Sequence, residues 1–312
     1  MFVLPDVSAI VALALAEDLG VPAEHFAPGA SATPGLLARD VTSSSAIDAD
    51  ARFSGRVVAR EACVVAGLPV VHAVFDALSA AAGLFDPIEV FPLVAEGASV
   101  EPGTPVLDIE GVATAVLTGE RTALNFLQLL CATASVTARY VQAVAGTSCQ
   151  ILDTRKTLPG LRTAQKYAVR IGGGRNHRMG LYDLVLIKEN HIAAAGSIDG
   201  AVRAARHCAP DVPVEVETEN LAELAAALAA GSDIIMLDDF SVPDMRRAVA
   251  INRAAPRPAK LEASGGVSLD ALAAIAATGV DYISIGSLTK HVQAVDLSMR
   301  IDNDQPALNP GR

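Results

Sequence analysis

Apolar residues recur at helical spacing from Val7 to Leu19, and Gly20 with Val21-Pro22 stops the pattern. Between Arg52 and Gly67 the apolar and polar positions alternate, which predicts strand. The stretch IEVFPLVAEGASVEPGTPVLDIEG, Ile88 to Gly111, reads as short strands joined by Gly and Pro turns. A long helical pattern begins near Glu120. Leu124, Leu127, Cys131, Ala134, Ala138 and Val141 form one apolar stripe, and Gly146 ends it. The spacing predicts a helix that links two domains.

Beyond that helix the pattern becomes regular. Short apolar runs occur at Gln150–Asp153, Leu184–Ile187, Val214–Val216, Ile234–Leu237, Lys260–Ala263 and Tyr282–Ile285. Ala-rich helical stretches such as Leu221–Ala230 and Leu269–Ala277 separate most of them. Strand–helix alternation at this spacing predicts a parallel sheet, closed or open. Each run ends in residues with chemical potential. Arg155 and Lys156 follow the first, Lys188 the second, and Glu217 ends the third. Asp238 and Asp239 follow the fourth, Ser264-Gly265-Gly266 the fifth, and Gly286-Ser287 the sixth. In α/β barrels the active site lies at the carboxyl ends of the strands, so these residues predict one composite pocket.

Charge sharpens that picture. The chain of 312 residues carries a formal charge of −11, yet Asp153 to His191 packs Arg155, Lys156, Arg162, Lys166, Arg170, Arg175, Arg178 and Lys188 together. Fixed positive charge inside an anionic protein points to an anion pocket. The overall acidity argues against broad nucleic-acid binding. The four cysteines are scattered, without the spacing of a zinc site or a disulfide framework. The start MFVLPDVSAI lacks a basic leader, and no apolar run approaches the ~20 residues of a membrane span. The expectation is a cytoplasmic protein with no membrane partner.

The candidate chemistry follows from residue types. Glycines in Ser264-Gly265-Gly266 and Ile285-Gly286-Ser287 let backbone N–H groups approach a phosphate, although ordinary strand–helix turns would look the same. Glu217 and Asp238 on one rim could accept ribose hydroxyls, hold magnesium or steady a cationic carbon; each could equally pair with a lysine. Arg155, His177, Arg178 and Lys188 suit a small ligand with more than one carboxylate. GGGRNH, Gly172 to His177, is not a nucleotide fingerprint; it reads as a tight loop that positions His177 and Arg178. His191 reads as a cap on the following helix.

At this point the motifs resemble a known family. ERTALNFLQ (Glu120 to Gln128), DTRKTLPGLR (Asp153 to Arg162), KYAV, GGGRNHR, IKENH, EVE (Glu215 to Glu217), LDDF, EASGG (Glu262 to Gly266) and ISIGSLT occur in order over roughly 120 to 290. The chain is similar to the quinolinate phosphoribosyltransferases. That resemblance implies an α/β fold: an N-terminal α/β (α+β) sandwich over 1–122, and an incomplete α/β barrel of the type II phosphoribosyltransferase kind over 123–287. The segment 288–312 would return to the first domain.

It also implies a reaction. Quinolinate and phosphoribosyl pyrophosphate would give nicotinate mononucleotide, pyrophosphate and CO2, with Mg2+, in de novo NAD biosynthesis. Arg121, Arg155, His177 and Arg178 would hold the two carboxylates, with Arg121 lent to a neighbour's pocket in a homodimer or larger oligomer. Lys156 and Lys188 would face both substrates. Glu217 and Asp238 would serve ribose and metal, with the metal held mainly through substrate. Ser264, Gly265, Gly266, Gly286 and Ser287 would receive the 5′-phosphate. The chain departs from the family pattern at Arg39, Asp239, Cys131-Ala132 and His291. Three rivals stay open: a relative of the same fold with a different substrate, such as a ModD-like protein or a nicotinate-specific phosphoribosyltransferase; a Schiff-base aldolase using Lys188; and a phospholigand-binding module without turnover.

Overall fold

The computed structural model describes residues 6–301. They fall into two compact units, residues 6–135 with 159–172 and 292–301, and residues 136–158 with 173–291. The last stretch of the predicted returning segment, 302–312, lies outside the described residues.

The first unit opens with α1 (Ser8–Leu19), which buries Val11, Ala12, Leu15, Ala16 and Leu19. Gly20 closes it in the left-handed conformation. Arg39 donates from its guanidinium to the carbonyls of Leu19 and Gly20, satisfying the end of that helix. This gives the unusual arginine a structural role. After α2 (Val41–Ala46) come β1 (Arg52–Ala59), β2 (Cys63–Val64), α3 (Leu68–Ala82), β3 (Glu89–Pro92), β4 (Ser99–Val100) and β5 (Pro105–Val112). β1 pairs antiparallel with β5, and Arg56 opposite Asp108 makes a two-bond ion pair at 2.8 Å.

The long helix α4 (Ala113–Ala143) begins seven residues before the expected start at Glu120. Thr114, Thr118 and Gly119 weaken the helical signal there, but packing overrides it. Thr118 bonds back to the Thr114 carbonyl and out to Asp40. Gly119 lies so close to Phe75 that an added Cβ would sit 2.5 Å from the ring. Leu124, Leu127, Cys131 and Ala134 are buried as the stripe predicted.

The second unit contains β6 (Gln150–Leu152), followed by α5 (Arg162–Ile171), which groups with the first unit. Then come β7 (Val185–Ile187), α6 (Glu189–Ala195), α7 (Ile198–Cys208), β8 (Val214–Thr218), α8 (Leu221–Ala229), β9 (Ile234–Asp238), α9 (Val242–Ala254), β10 (Lys260–Ser264), α10 (Leu272–Ala276), β11 (Tyr282–Ser284) and α11 (Ser287–Lys290). All six strands are parallel, in the order β6-β11-β10-β9-β8-β7. That is the cyclic order of an α/β barrel interrupted between its first two strands. The fold is therefore α/β with an incomplete barrel, as expected. The last strand, β12 (Leu297–Ile301), pairs antiparallel with β1 in the first unit.

Alternation gives the parallel sheet two faces. Val214, Val216, Ile235, Leu237, Leu261, Ala263 and Ile283 face the buried core of the second unit. Their neighbours Glu215, Glu217, Met236, Asp238, Glu262, Ser264 and Ser284 share the opposite face. Among the described residues no helix is long and apolar enough to cross a membrane.

Gly119→Ala tests the packing of α4. A glycine-to-alanine change inside an exposed helix is normally stabilising by about 1 kcal/mol. Here overpacking against Phe75 should reverse the sign, to a loss of about 1–3 kcal/mol in denaturant unfolding. A gain in stability would contradict the packing described.

Candidate active site

The strand ends of the second unit surround a cleft of about 410 Å³. Thr154, Arg155 and Lys156 follow β6, Lys188 follows β7, and Glu217, Asp238, Ser264 and Ser284 come from β8, β9, β10 and β11. His177 and Arg178 complete the wall, and Met236 and Glu262 lie one step deeper on the same strand face. An adjoining pocket of about 280 Å³ is lined by Ser264, Gly265, Gly266, Gly286, Ser287, Lys290 and His291. Lys156 and Asp238 border both spaces. Residues assigned from different strands thus converge at one end of the sheet.

The basic block of the sequence divides. Arg155, Lys156, Arg178 and Lys188 line the cleft. Arg162, Lys166 and Arg170 belong to α5 within the first unit, where Lys166 is buried. Arg175 turns its guanidinium to the Gln150 side chain. Arg121 stands exposed on α4, also in the first unit. Clustering in sequence therefore overstated the cleft's share of cations, because a run of residues passes through both units.

Local structure fixes the loop carrying His177. Arg175 joins the edge of β6 by backbone bonds to Ile151 and Asp153. Buried Asp153 accepts from the His177 backbone N–H at 2.9 Å and from the Asn176 amide at 2.6 Å. The glycine-rich loop is thus clamped along its polar end. His191 behaves as the predicted cap, its Nδ1 accepting from the Lys188 N–H at 3.0 Å.

The cations differ in their partners. Lys188 forms a close ion pair with Glu217. Among the described residues, no carboxylate stands within ion-pair distance of Arg155, Lys156 or Arg178. The Arg155 Nε is buried without a hydrogen-bond partner. Burial, and then the charge of Arg155, lower the Arg178 pKa. Asp238 is pushed the other way, raised by burial and by the neighbouring Glu217 and Asp239 charges. Glu215 and Asp183 act on Arg178, and Asp238 on Lys156, only from beyond ion-pair distance, while Glu217 and Asp238 repel one another on the rim.

Two glycines make room in these walls. A Cβ on Gly286 would approach Lys156 Cδ to 2.9 Å. Gly265, at φ +96°, lies against Asp239, whose carboxylate would be 2.0 Å from such a Cβ. Asp239 itself adopts φ 53°, the sole positive value for a non-glycine among the described residues. That left-handed turn sends Asp239 to the back of Gly265, while Asp238 lines the cleft.

Sequence reasoning assigned no role to Glu215 and Glu262. Both are fully buried beneath the cleft, beside His177. Burial raises the Glu215 carboxyl to about 7. Burial and the adjacent Glu215 raise Glu262 to about 8. Their signal was available: each lies two residues before a rim residue, Glu217 or Ser264, and so shares its face.

Comparison with known proteins decides the family. The family model for the C-terminal domain of quinolinate phosphoribosyl transferase matches residues 133–300, and the model for its N-terminal domain matches 40–131. The chain belongs to the quinolinate phosphoribosyltransferase family. A nicotinate-nucleotide pyrophosphorylase [carboxylating] of Mycobacterium leprae is 44% identical over 260 residues, 83% of this chain and 90% of that protein. The Homo sapiens protein of the same name is 37% identical, covering 76% of this chain and 78% of the relative. A solved nicotinate-nucleotide pyrophosphorylase from Francisella tularensis superposes with a TM-score of 0.82 at 39% identity, over 95% of this chain and 96% of the other. Like other quinolinate phosphoribosyltransferases, this chain is a phosphoribosyltransferase enzyme.

The raised pKa of Glu262 gives a stability prediction. A buried carboxyl that titrates near 8 instead of 4.5 binds its proton more tightly when folded. Its contribution is complete below about pH 4.5 and is lost as pH rises through about 8. Glu262→Gln, shaped like the neutral acid, should flatten the fall in thermal midpoint between about pH 5 and 8. An unchanged slope would contradict the assignment.

Proposed function

We propose that the protein condenses quinolinate with phosphoribosyl pyrophosphate, releasing pyrophosphate and CO2 and leaving nicotinate mononucleotide for NAD biosynthesis. The observation that carries this reading is the set of cleft cations, Arg155, Lys156 and Arg178, with no acidic partner. A pyridine diacid supplies the missing negative charge, and each arginine can grip a carboxylate with two parallel N–H bonds. The adjoining pocket at Ser264, Gly265, Gly266, Gly286 and Ser287 takes the 5′-phosphate, with Lys290 at its border. Arg121, exposed on α4, completes the diacid site of a second copy in a homodimer.

Mechanistically, the pyridine nitrogen attacks the anomeric carbon as the bond to pyrophosphate breaks. Positive charge develops on the ribose, and Glu217 and Asp238 stand on the rim where a carboxylate lowers its energy. Loss of the carboxylate next to the ring nitrogen follows, because the quaternised ring accepts the electron pair before C2 takes up a proton. The protein needs no nucleophile; it orients two polyanions and offsets their repulsion. The two rim carboxylates offer hard oxygen donors and repel one another, so Glu217 and Asp238 are the residues that would hold Mg2+. Bound magnesium would draw charge from the departing pyrophosphate. The ion pair of Lys188 with Glu217 favours this reading over a Schiff-base aldolase, which needs a free amine.

The direct test supplies carboxyl-labelled quinolinate, phosphoribosyl pyrophosphate and magnesium. Labelled CO2, pyrophosphate and nicotinate mononucleotide should appear in equal amounts, and nicotinate should not replace quinolinate. Turnover of nicotinate without CO2 would point to the nicotinate-specific enzyme. Arg155→Ala should lower kcat/KM for quinolinate by about a hundredfold or more in steady-state kinetics. Near-parental kinetics would remove Arg155 from the diacid site.

A further inference from the structure

His177 lines the cleft beside Arg155 and Arg178, which have no carboxylate within ion-pair distance, and this invites the reading that its ring grips a substrate carboxylate. Its hydrogen bonds point elsewhere. Nδ1 accepts from the Arg178 backbone N–H at 2.8 Å. A nitrogen that accepts carries no proton, so the ring's proton resides on Nε2. Nε2 lies 2.8 Å from a Glu215 oxygen and donates to it. Both ring nitrogens are therefore used inside the protein, and a protonated imidazolium would set an N–H against the Arg178 N–H.

We propose that His177 is a neutral positioning residue and that Glu215, beneath it, is the group that orients it. The chain of contacts runs from the Glu215 carboxylate through the imidazole to the backbone of Arg178. Glu215 is rigidly placed by β8, between β7 and β9. Asp153 clamps the His177 backbone from β6. Together they fix the Cα of Arg178 at the cleft wall, leaving its guanidinium to meet the diacid. The inference rests on the diacid reading of the cleft and assigns the grip on the carboxylates to arginine and lysine alone.

The same atoms could suggest a buried cation held by His177, Glu215 and Glu262, which lie within 4.8 Å of one another. The 2.8 Å separation argues against that. Tetrahedral ligands sharing one ion at about 2.0–2.2 Å stand roughly 3.3 Å apart, so the observed spacing is that of a hydrogen bond and not of a tetrahedral zinc site.

Two measurements on the full-length protein test the proposal. Nitrogen-15 spectra of labelled histidine, assigned with His177→Gln, should show His177 as the neutral Nε2–H tautomer. An imidazolium or an Nδ1–H form would overturn the proposal without any reference to activity, and so apart from any failure of the quinolinate assay. In kinetics, Glu215→Leu leaves the Nε2–H without its acceptor. The KM for quinolinate should rise about tenfold or more, with the KM for phosphoribosyl pyrophosphate within about twofold. Glu215→Gln retains an acceptor oxygen and should recover most of that loss. Equal effects on both substrates, or no recovery with Gln, would overturn the positioning role. If the Leu variant fails to fold, the Gln variant and the parental spectrum still decide.

Discussion

Like charges held close together with no carboxylate in ion-pair contact are the constraint around which the second unit is organised. Arg155 and Arg178 repel one another across a half-buried cleft, and Lys156 joins them. An arrangement of this kind persists only where the surrounding backbone leaves the side chains no alternative. The edge strand β6 provides that rigidity: β11 holds it on one side and the backbone of Arg175 on the other, and this second contact also seats the loop that carries Arg178. The energy of repulsion is then available to whichever anion enters, and binding strengthens as the ligand's charge matches the cluster's.

The remaining features serve that arrangement. Asp153 is buried so that it can bind the His177 and Asn176 donors and seat a loop lacking regular structure. Gly286 gives Lys156 space to lie along the wall. Gly265 allows Asp239 to turn away, leaving Asp238 facing the cleft. Glu217 restrains Lys188, so one cation is neutralised while three stay available. The result is a space with cations contributed from β6 and the 175–178 loop and carboxylates from β8 and β9. Such a field suits a reaction in which an anionic nucleophile and an anionic leaving group flank a carbon that becomes positive.

Much of this was legible in the sequence because strand periodicity is short and unambiguous. Six apolar runs became six parallel strands, and the polar residues after them line the cleft. The start of α4 was less visible, since Thr114, Thr118 and Gly119 disguise a helix that tertiary packing imposes. The fate of Lys166 and Arg170 could not be read, because their helix belongs to the first unit although the chain on both sides belongs to the second. Glu215 and Glu262 were overlooked for another reason: charge within an apolar strand attracts little notice when a more exposed carboxylate follows two residues later. The internal use of His177's nitrogens lies beyond sequence altogether, since it depends on angles between a ring and a neighbouring peptide.

Complementarity between the cluster and two carboxylates on one small ring is the interaction on which the proposed reaction rests. Calorimetric titration of the protein with quinolinate and separately with nicotinate measures this without any turnover. Quinolinate should bind at least about tenfold more tightly, and added salt should weaken its binding more steeply, because it engages more of the cations. Equal affinity for the two acids, or binding of quinolinate indifferent to salt, would contradict it.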